Sequence, residues 1–295
     1  MSQPVIEFYK LRDFGAKMNA TIEFLRENIG RLFLNLLFIA GPVALLMSLL
    51  MTNLFSSFTD AVGLEDDAQA LNFLALMGGN YFLILLVSWL AGSMVITVSF
   101  TYIRLYNEGV AKETAVGDVL KLALKKYGGV LLLGILVTLI VFFSFFFFIL
   151  PGIFMLFVLP LCFATYMFED IAAPSALGRT FTLLKGKWWS TFGIGIVGYI
   201  LAYVIQLVFS LPTMIIYFAN IFTLMEETVN NPDDPTAIFN LFTNGYMTAA
   251  FAISMLGGYL SYSIPLIGYS YQYANLVERS EGRGLMNEIA DFDQD

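Results

Sequence analysis

The amino-acid sequence predicts an all-α integral membrane protein with six transmembrane helices and three amphipathic helices on the cytoplasmic side. Of its 295 residues, 58% are hydrophobic and only 13% are charged, whereas charged residues make up about a quarter of a typical soluble domain. Uncharged stretches recur that are long enough to cross a bilayer, for which about 20 residues suffice. All 15 Lys and Arg residues fall in four segments of the chain. Together these observations indicate a polytopic membrane protein.

The uncharged stretches define six spans in chain order. They cover about 32–58, 80–103, the two halves of 130–168, 190–211 and 245–277. The stretch 130–168 is too long for one crossing, and Pro151-Gly152 is a strong turn signal at its centre. Spans three and four are therefore predicted to form a tight hairpin. Span six is expected to break or bend near Pro265 and Gly268.

An amphipathic segment precedes each odd-numbered span and is predicted to be a helix lying on the bilayer, here called an elbow. In the clearest elbow, Pro174 suits the first turn of a helix and Gly186 suits its end. Trp188 and Trp189 follow, and Trp is enriched at the membrane–water interface. The other two elbows are predicted at about 14–30 and 112–129, with their junctions to the spans at Gly30 and Gly128. In the first elbow, Lys17 is expected opposite the apolar face.

The order of one elbow and two spans occurs three times, which suggests a threefold internal repeat. The units are about 14–103, 112–168 and 173–277. Each second span ends in an aromatic-rich segment just ahead of Glu108, Glu169 or Glu278. The alternative is that any six-span protein with basic cytoplasmic loops would show such segments. The expected organisation is a single membrane domain over 1–277 and a cytoplasmic tail over 278–295.

The distribution of charge predicts the topology. The basic segments are the N-terminus, 104–126, 179–187 and the tail, and with six spans all four lie on one side. The other connections, at 59–79, 151–152 and 226–243, contain no base. The positive-inside rule then places both termini and both elbow-bearing loops in the cytoplasm.

The residue types exclude several kinds of chemistry. The sequence has no His and one Cys, which excludes an intramolecular disulfide and nucleophile–His catalysis. The predicted spans contain no ionisable Asp, Glu, Lys or Arg, so proton relays and ion-coupled transport are disfavoured. Cys162 is expected to be a packing residue. We expect no catalytic residue, no cofactor and no metal site. An enzyme would need carboxylates or backbone groups at the cytoplasmic face, where Glu108, Glu169 and Glu278 are the only repeated acids.

Six basic residues are candidates for contact with lipid headgroups, because an anionic leaflet attracts each nearby cation by about 1 kcal/mol. They are Lys121, Lys125, Lys126, Arg179, Lys185 and Lys187. The alternative is that these charges only determine the topology. Gln206, deep in the fifth span, is the polar candidate inside the membrane, although most polar side chains in spans form interhelical hydrogen bonds.

Three motifs stand in the second half of the chain: Pro151-Gly152, Ala176-Leu177-Gly178-Arg179 and Leu184-Lys185-Gly186-Lys187-Trp188-Trp189. Together they resemble a bacterial membrane-domain family of unknown function, which includes the multi-span domain fused to some glycerophosphoryl diester phosphodiesterases and related stand-alone proteins. The RDFG segment at 12–15 and the NLVERSEGRGL segment at 275–285 look like the ends of stand-alone members. The resemblance implies a shared architecture. It implies no phosphodiesterase activity, because this sequence contains neither the soluble barrel domain nor any His.

These features predict a non-enzymatic inner-membrane protein that acts as a scaffold or accessory subunit. The expected partners are membrane lipids, together with other membrane proteins or further copies of the chain, and no nucleic acid is expected. The alternative is a channel or transporter for a lipid or a small uncharged solute, with a path lined by Ser, Thr and Gln206.

Overall fold

The structure is a computed structural model that describes residues 6–61, 67–230 and 242–292. In these ranges the chain forms ten helices and no strand. The helices are α1 (Phe14–Ala61), α2 (Asp67–Asn107), α3 (Val116–Phe147), α4 (Ile149–Val158), α5 (Leu161–Glu169), α6 (Ala173–Leu183), α7 (Trp188–Asn230), α8 (Gly245–Ser261), α9 (Ser263–Glu281) and α10 (Arg283–Phe292). Residues 62–66 and 231–241, which belong to the predicted connections at 59–79 and 226–243, lie outside the described residues.

Six helical segments are long and apolar enough to cross a membrane. They are Phe14–Phe58, Leu71–Asn107, Val116–Phe147, Ile149–Glu169, Trp188–Glu226 and Gly245–Glu281. This confirms the predicted all-α, multi-pass membrane protein. The fifth segment extends beyond its predicted end at residue 211, because α7 continues through Pro212. Such prolines are tolerated in membrane helices.

The first two elbows are not separate helices. α1 continues through Gly30, and α3 continues through Gly128 and Gly129. A Gly inside a helix costs only about 1 kcal/mol relative to Ala, so it does not by itself end a helix. At Gly129 the missing side chain has a packing role, because a Cβ there would lie 2.0 Å from the hydroxyl of Tyr166. The junctions predicted at Gly30 and Gly128 are therefore wrong.

The third elbow, by contrast, is a helix of its own. α6 ends at Leu183, and Gly186 follows with a φ of 72°. Glycine adopts this left-handed backbone without a steric penalty, which is why it so often follows a helix. The hydroxyl of Thr180 in α6 donates to that of Thr165 in α5 at 2.9 Å, and both side chains are buried. α6 is thus packed against α5.

Two prolines determine helix boundaries at the same offset. Pro151 is the third residue of α4, and Pro265 is the third residue of α9. A proline ring clashes with the carbonyl four residues earlier, and α3 and α8 both end at that fourth residue. The hairpin turn is therefore at Phe148, which is extended (φ −152°), and not at 151–152 as predicted. The break in the sixth span is likewise at Tyr262, ahead of Pro265.

The helices form two compact units. The first contains the described residues of 1–36, 93–202 and 262–295, and the second those of 37–92 and 203–261. Helices α1, α2 and α7 contribute residues to both units. All 15 Lys and Arg residues belong to the first unit. The basic residues, which the sequence confines to four segments, are thus also confined to one of the two units.

The core of the first unit is built on α9. Every residue from Ser263 to Val277 is buried, although the helix carries Tyr, Ser, Gln and Asn side chains. Buried polar groups need hydrogen-bond partners. The Tyr269 hydroxyl donates to the carbonyl of Phe157 at 2.6 Å. The aromatic ends of α2 and α5 are buried as well, whereas the threefold repeat stays a prediction.

Candidate lipid-binding site

A cavity of about 950 Å³ lies in the first unit between the start of α4 and the start of α7. Its lining comes from residues 150–155 and 186–192, and we call it the aromatic cavity. Lys187 is the one charged side chain in this lining, and Ser190 contributes a hydroxyl. The cavity is within the usual volume range of small-molecule sites, which are mostly apolar with a few placed polar groups.

Aromatic side chains form one wall of the aromatic cavity. The ring of Phe154 is stacked on that of Phe192 with centroids 5.0 Å apart. Its centroid lies 5.3 Å from Trp189 and 6.1 Å from Trp188. Trp189 is largely exposed, whereas Trp188 is half-buried. The two predicted interfacial tryptophans therefore belong to a packed cluster that includes α4.

Lys187 stands immediately before the first residue of α7, after the turn at Gly186. Among the described residues, no carboxylate oxygen lies within 4.0 Å of its ammonium. The first turn of a helix also presents unpaired N–H groups and the positive end of the helix dipole. This corner of the cavity is therefore positively charged.

A buried cation lies directly behind this corner. Lys17 is 3% exposed, and its ammonium donates to Ser190 Oγ at 2.9 Å and to Gln272 Oε1 at 2.6 Å. Gln272 Nε2 in turn donates to Thr191 Oγ1 at 2.8 Å. In the part of the chain that the structure describes, Lys17 has no carboxylate partner. A buried positive charge with no carboxylate within 4.0 Å among the described residues thus lies next to the cavity wall.

Sequence reasoning missed Lys17. The face of α1 that carries it is buried, while Ile22 and Ile29 on the apolar face are exposed. In a membrane protein the apolar face can contact lipid, while polar side chains satisfy one another inside. The sequence does contain one indication that this face is buried. Thr21, Asn28 and Asn35 follow Lys17 at helical spacing and therefore share its face, and all three are buried in the structure.

The six predicted headgroup residues fall into two groups. Lys126 binds Asp170 at 2.6 Å and Lys121 binds Asp118 at 2.9 Å. Arg179 binds both carboxylate oxygens of Glu169 at 3.0 and 3.1 Å and also Glu281. The other three, Lys125, Lys185 and Lys187, have no carboxylate within 4.0 Å among the described residues. The ammonium groups of those three residues are therefore available to bind an external anionic ligand.

Lys125 lines a second, smaller cavity of about 260 Å³ together with Arg104, Lys126 and Glu108. Here the carboxylate of Asp170 binds Lys126 and accepts two bonds of 3.2 Å from the guanidinium of Arg104. The hydrogen bonds from Lys126 and then from Arg104 hold the pKa of Asp170 below its usual value. Most of the positive charge at this cavity is therefore already neutralised.

The three repeated acids are all in structural contacts. Glu108 accepts a bond from Arg104 at 3.1 Å. Glu169 also accepts from the hydroxyl of Tyr273 at 3.2 Å, and Glu278 accepts from backbone N–H groups at the start of α10. Glu169 and Glu278 link helices to one another, whereas Glu108 forms a local pair at the end of α2, so the three acids do not face a common cavity.

Gln206 lies in the second unit. Its side-chain nitrogen donates to the carbonyl of Ser254 at 2.9 Å and to the hydroxyl of Ser210 at 3.2 Å. Its side-chain oxygen is buried, and no partner for it is found among the described residues. One hydrogen-bond acceptor is thus left over inside a span.

Comparisons of the chain with protein-family models, with curated proteins and with solved structures found no match. The resemblance to the bacterial membrane-domain family stays a prediction, and the function is inferred from the site itself.

Proposed function

We propose that this protein is a non-enzymatic membrane scaffold or accessory subunit that holds an anionic phospholipid in the aromatic cavity. The observation that carries the proposal is the position of Lys187, a cation without a carboxylate partner among the described residues, at the edge of an aromatic wall. A phospholipid combines an anionic phosphate with apolar chains, and the cavity offers a complement to each.

The polar corner of the cavity suits a phosphate. Lys187 supplies a charge-assisted donor, and the start of α7 supplies backbone N–H groups, which together form a familiar type of anion site. Lys17 adds a second positive charge behind Ser190. The wall formed by Phe154, Phe192 and the two tryptophans suits the glycerol and upper acyl region.

The ion pairs at the helix ends support a scaffold role. Asp170 joins α2 and α3 through Arg104 and Lys126, while Glu169 joins α6 and α9 through Arg179 and Tyr273. Such links hold α2 to α3 and α6 to α9 in the first unit. In this proposal the basic unit faces the cytoplasm of a bacterial inner membrane, and the partners are lipids and other membrane proteins.

Lipid retention tests the proposal. The purified chain is expected to retain phosphatidylglycerol in preference to phosphatidylcholine, as measured by native mass spectrometry. Lys187→Gln should lower the retained phosphatidylglycerol at least fivefold, whereas Lys112→Gln, an exposed residue away from the cavity, should leave it unchanged. Equal retention by the two variants would overturn the proposal.

The second candidate function is a path for a small uncharged solute, and the unpartnered oxygen of Gln206 favours it. A solute hydroxyl would satisfy that acceptor. In proteoliposomes, Gln206→Leu should then abolish uptake of a labelled polyol such as glycerol, and the absence of uptake by the native chain would dismiss this function.

A further inference from the structure

We infer that the hairpin of α3 and α4 enters the membrane from the basic side and returns to that side, so that it anchors the protein in one leaflet. The hairpin tip is defined here as residues 146–150. If α3 and α4 each cross the membrane, as the six-span interpretation of the sequence assumes, the tip is an outer turn. The geometry of the first unit argues against that position.

The hairpin tip is apolar and exposed. From Phe146 to Leu150 every side chain is at least 67% exposed. Contiguous apolar surface of this kind belongs against a partner or a membrane. One face of α3 also exposes Leu132, Ile135 and Leu139 at helical spacing. If the hairpin is inclined to the membrane normal, this face of α3 and the tip both lie in the same leaflet.

At the tip, the backbone of the turn residue is fully hydrogen-bonded. The turn consists of one residue, Phe148, whose N–H donates to the carbonyl of Ser144 at 2.9 Å. Its carbonyl accepts from the N–H of Gly152 at 3.2 Å. Unsatisfied backbone groups in lipid cost several kcal/mol each. Because both groups of Phe148 are paired, the turn residue itself avoids this cost.

The distance between the tip and Lys187 is too short for opposite faces of a membrane. Leu150 and Lys187 line the same aromatic cavity, and Phe154 lies 5.3 Å from Trp189 between ring centroids. From Ile149, the first residue of α4, to Phe154 the helix rises by only about 8 Å. The hydrocarbon layer is about 30 Å thick. The tip and Lys187 are therefore on the same side, or Lys187 lies within the hydrocarbon.

The charge of Lys187 and the neighbouring tryptophans decide whether Lys187 lies at the membrane surface or within the hydrocarbon. A cation at the bilayer centre costs about 3 kcal/mol or more, and Trp favours the interface. Lys185 and Lys187 flank a turn that leads directly into Trp188 and Trp189. This turn therefore lies at the basic membrane surface, and the tip reaches only a short way into the adjoining leaflet.

The charge pattern is compatible with this placement. A hairpin that crosses twice and a hairpin that re-enters both return the chain to its original side, so the basic segments 104–126 and 179–187 do not distinguish them. The connection at 148–152 carries no acid, unlike the predicted outer connections at 59–79 and 226–243. With this placement, both termini remain on the predicted cytoplasmic side of the membrane.

Spin-label relaxation from each side of the membrane tests the inference on the full chain. A nitroxide is attached to Leu150→Cys in a Cys162→Ala background, in liposomes with oriented protein. A membrane-impermeant nickel chelate is then supplied inside or outside. Labels at Lys112→Cys and Tyr246→Cys, both exposed, calibrate the basic side and the predicted outer side.

We expect the label at position 150 to relax at least threefold more strongly with the chelate on the side that relaxes position 112. Equal relaxation from both sides, or stronger relaxation from the side of position 246, would overturn the inference. The readout does not depend on bound lipid, so it is independent of the test of the aromatic cavity.

Discussion

The ammonium of Lys17 donates a hydrogen bond of 2.6 Å to the side-chain oxygen of Gln272, 255 positions later in the chain. This bond joins α1 to the central helix α9, and the Gln272 amide extends it to Thr191 in α7. Three helices thus meet at one buried cation, which is also next to the aromatic cavity. The stability of the first unit and the charge at its cavity depend on the same residue.

Replacing either partner of this bond should destabilise the protein, and the two effects should not add. Gln272→Leu removes one of the hydrogen bonds to a buried ammonium and should cost about 1.5–3 kcal/mol, the usual contribution of a hydrogen bond to a charged group. Lys17→Met leaves buried acceptors unpaired and should cost about 1–3 kcal/mol. Unfolding free energies in detergent for both single variants and the double variant measure the coupling. Strict additivity would contradict a direct interaction.

Gly129→Ala and Gly128→Ala form a matched pair in α3. A Cβ at position 129 would lie 2.0 Å from the Tyr166 hydroxyl, whereas a Cβ at position 128 meets nothing within 4 Å. Overpacking typically costs about 1–3 kcal/mol, so Gly129→Ala should lower the melting temperature. Gly128→Ala should raise it, because Ala is a better helix former by about 1 kcal/mol. Thermal unfolding monitored by circular dichroism checks both signs.

Glu169→Gln should destabilise the protein far more than Glu108→Gln. The side chain of Glu169 is 8% exposed and binds Arg179 and Tyr273, whereas that of Glu108 is 51% exposed. Hydrogen bonds to buried charged groups contribute about 1.5–3 kcal/mol, and an exposed pair at i,i+4 about 0.3–0.5 kcal/mol. Chemical denaturation of the two variants gives the comparison, and similar losses would refute the assigned contacts.

The contribution of Asp170 should depend on pH. Its folded-state pKa is lowered by Lys126 and Arg104, so its stabilisation is present above the unfolded pKa of about 3.9 and is lost as the pH falls through the lower folded value. Asp170→Asn should therefore destabilise the protein at pH 7 by about 1 kcal/mol or less, as is usual for exposed pairs. The difference from the native chain should vanish in strong acid. Asn is chosen because it tolerates the left-handed backbone at this position, where φ is 51°.

The two groups of basic residues should separate lipid binding from stability. Neutralising Lys125, Lys185 and Lys187 should weaken the preference for anionic vesicles and leave the melting temperature unchanged, since no described carboxylate pairs with them. Neutralising Lys121, Lys126 and Arg179 should lower the melting temperature, mainly through Arg179. Vesicle flotation and thermal unfolding of the two triple variants measure both effects. An unchanged lipid preference in the first variant would show that these charges only determine the topology.

Periodicity and local chemistry predicted some features of the site but not others. Pro174 and Gly186 predict the limits of α6 to within a few residues, because such end signals act locally. Gly30 and Gly128 carried the same signal, yet the helices continue through them, because a helix ends only where something stops its hydrogen bonds. At Gly129 the reason for glycine is a contact with Tyr166, which is distant in the chain.

The sequence by itself determined the all-α membrane class, the stretches able to cross a bilayer and the clustering of its bases, because hydropathy and charge act on each segment independently of its neighbours. Only the tertiary structure decided that Lys17 is buried and that residues 150 and 187 line one cavity. It also decided that Arg179 has carboxylate partners, whereas Lys187 has none among the described residues. These properties depend on which distant side chains meet. Burial and ion pairing depend on contacts between different segments of the chain, so the helical spacing of residues within one segment cannot predict them.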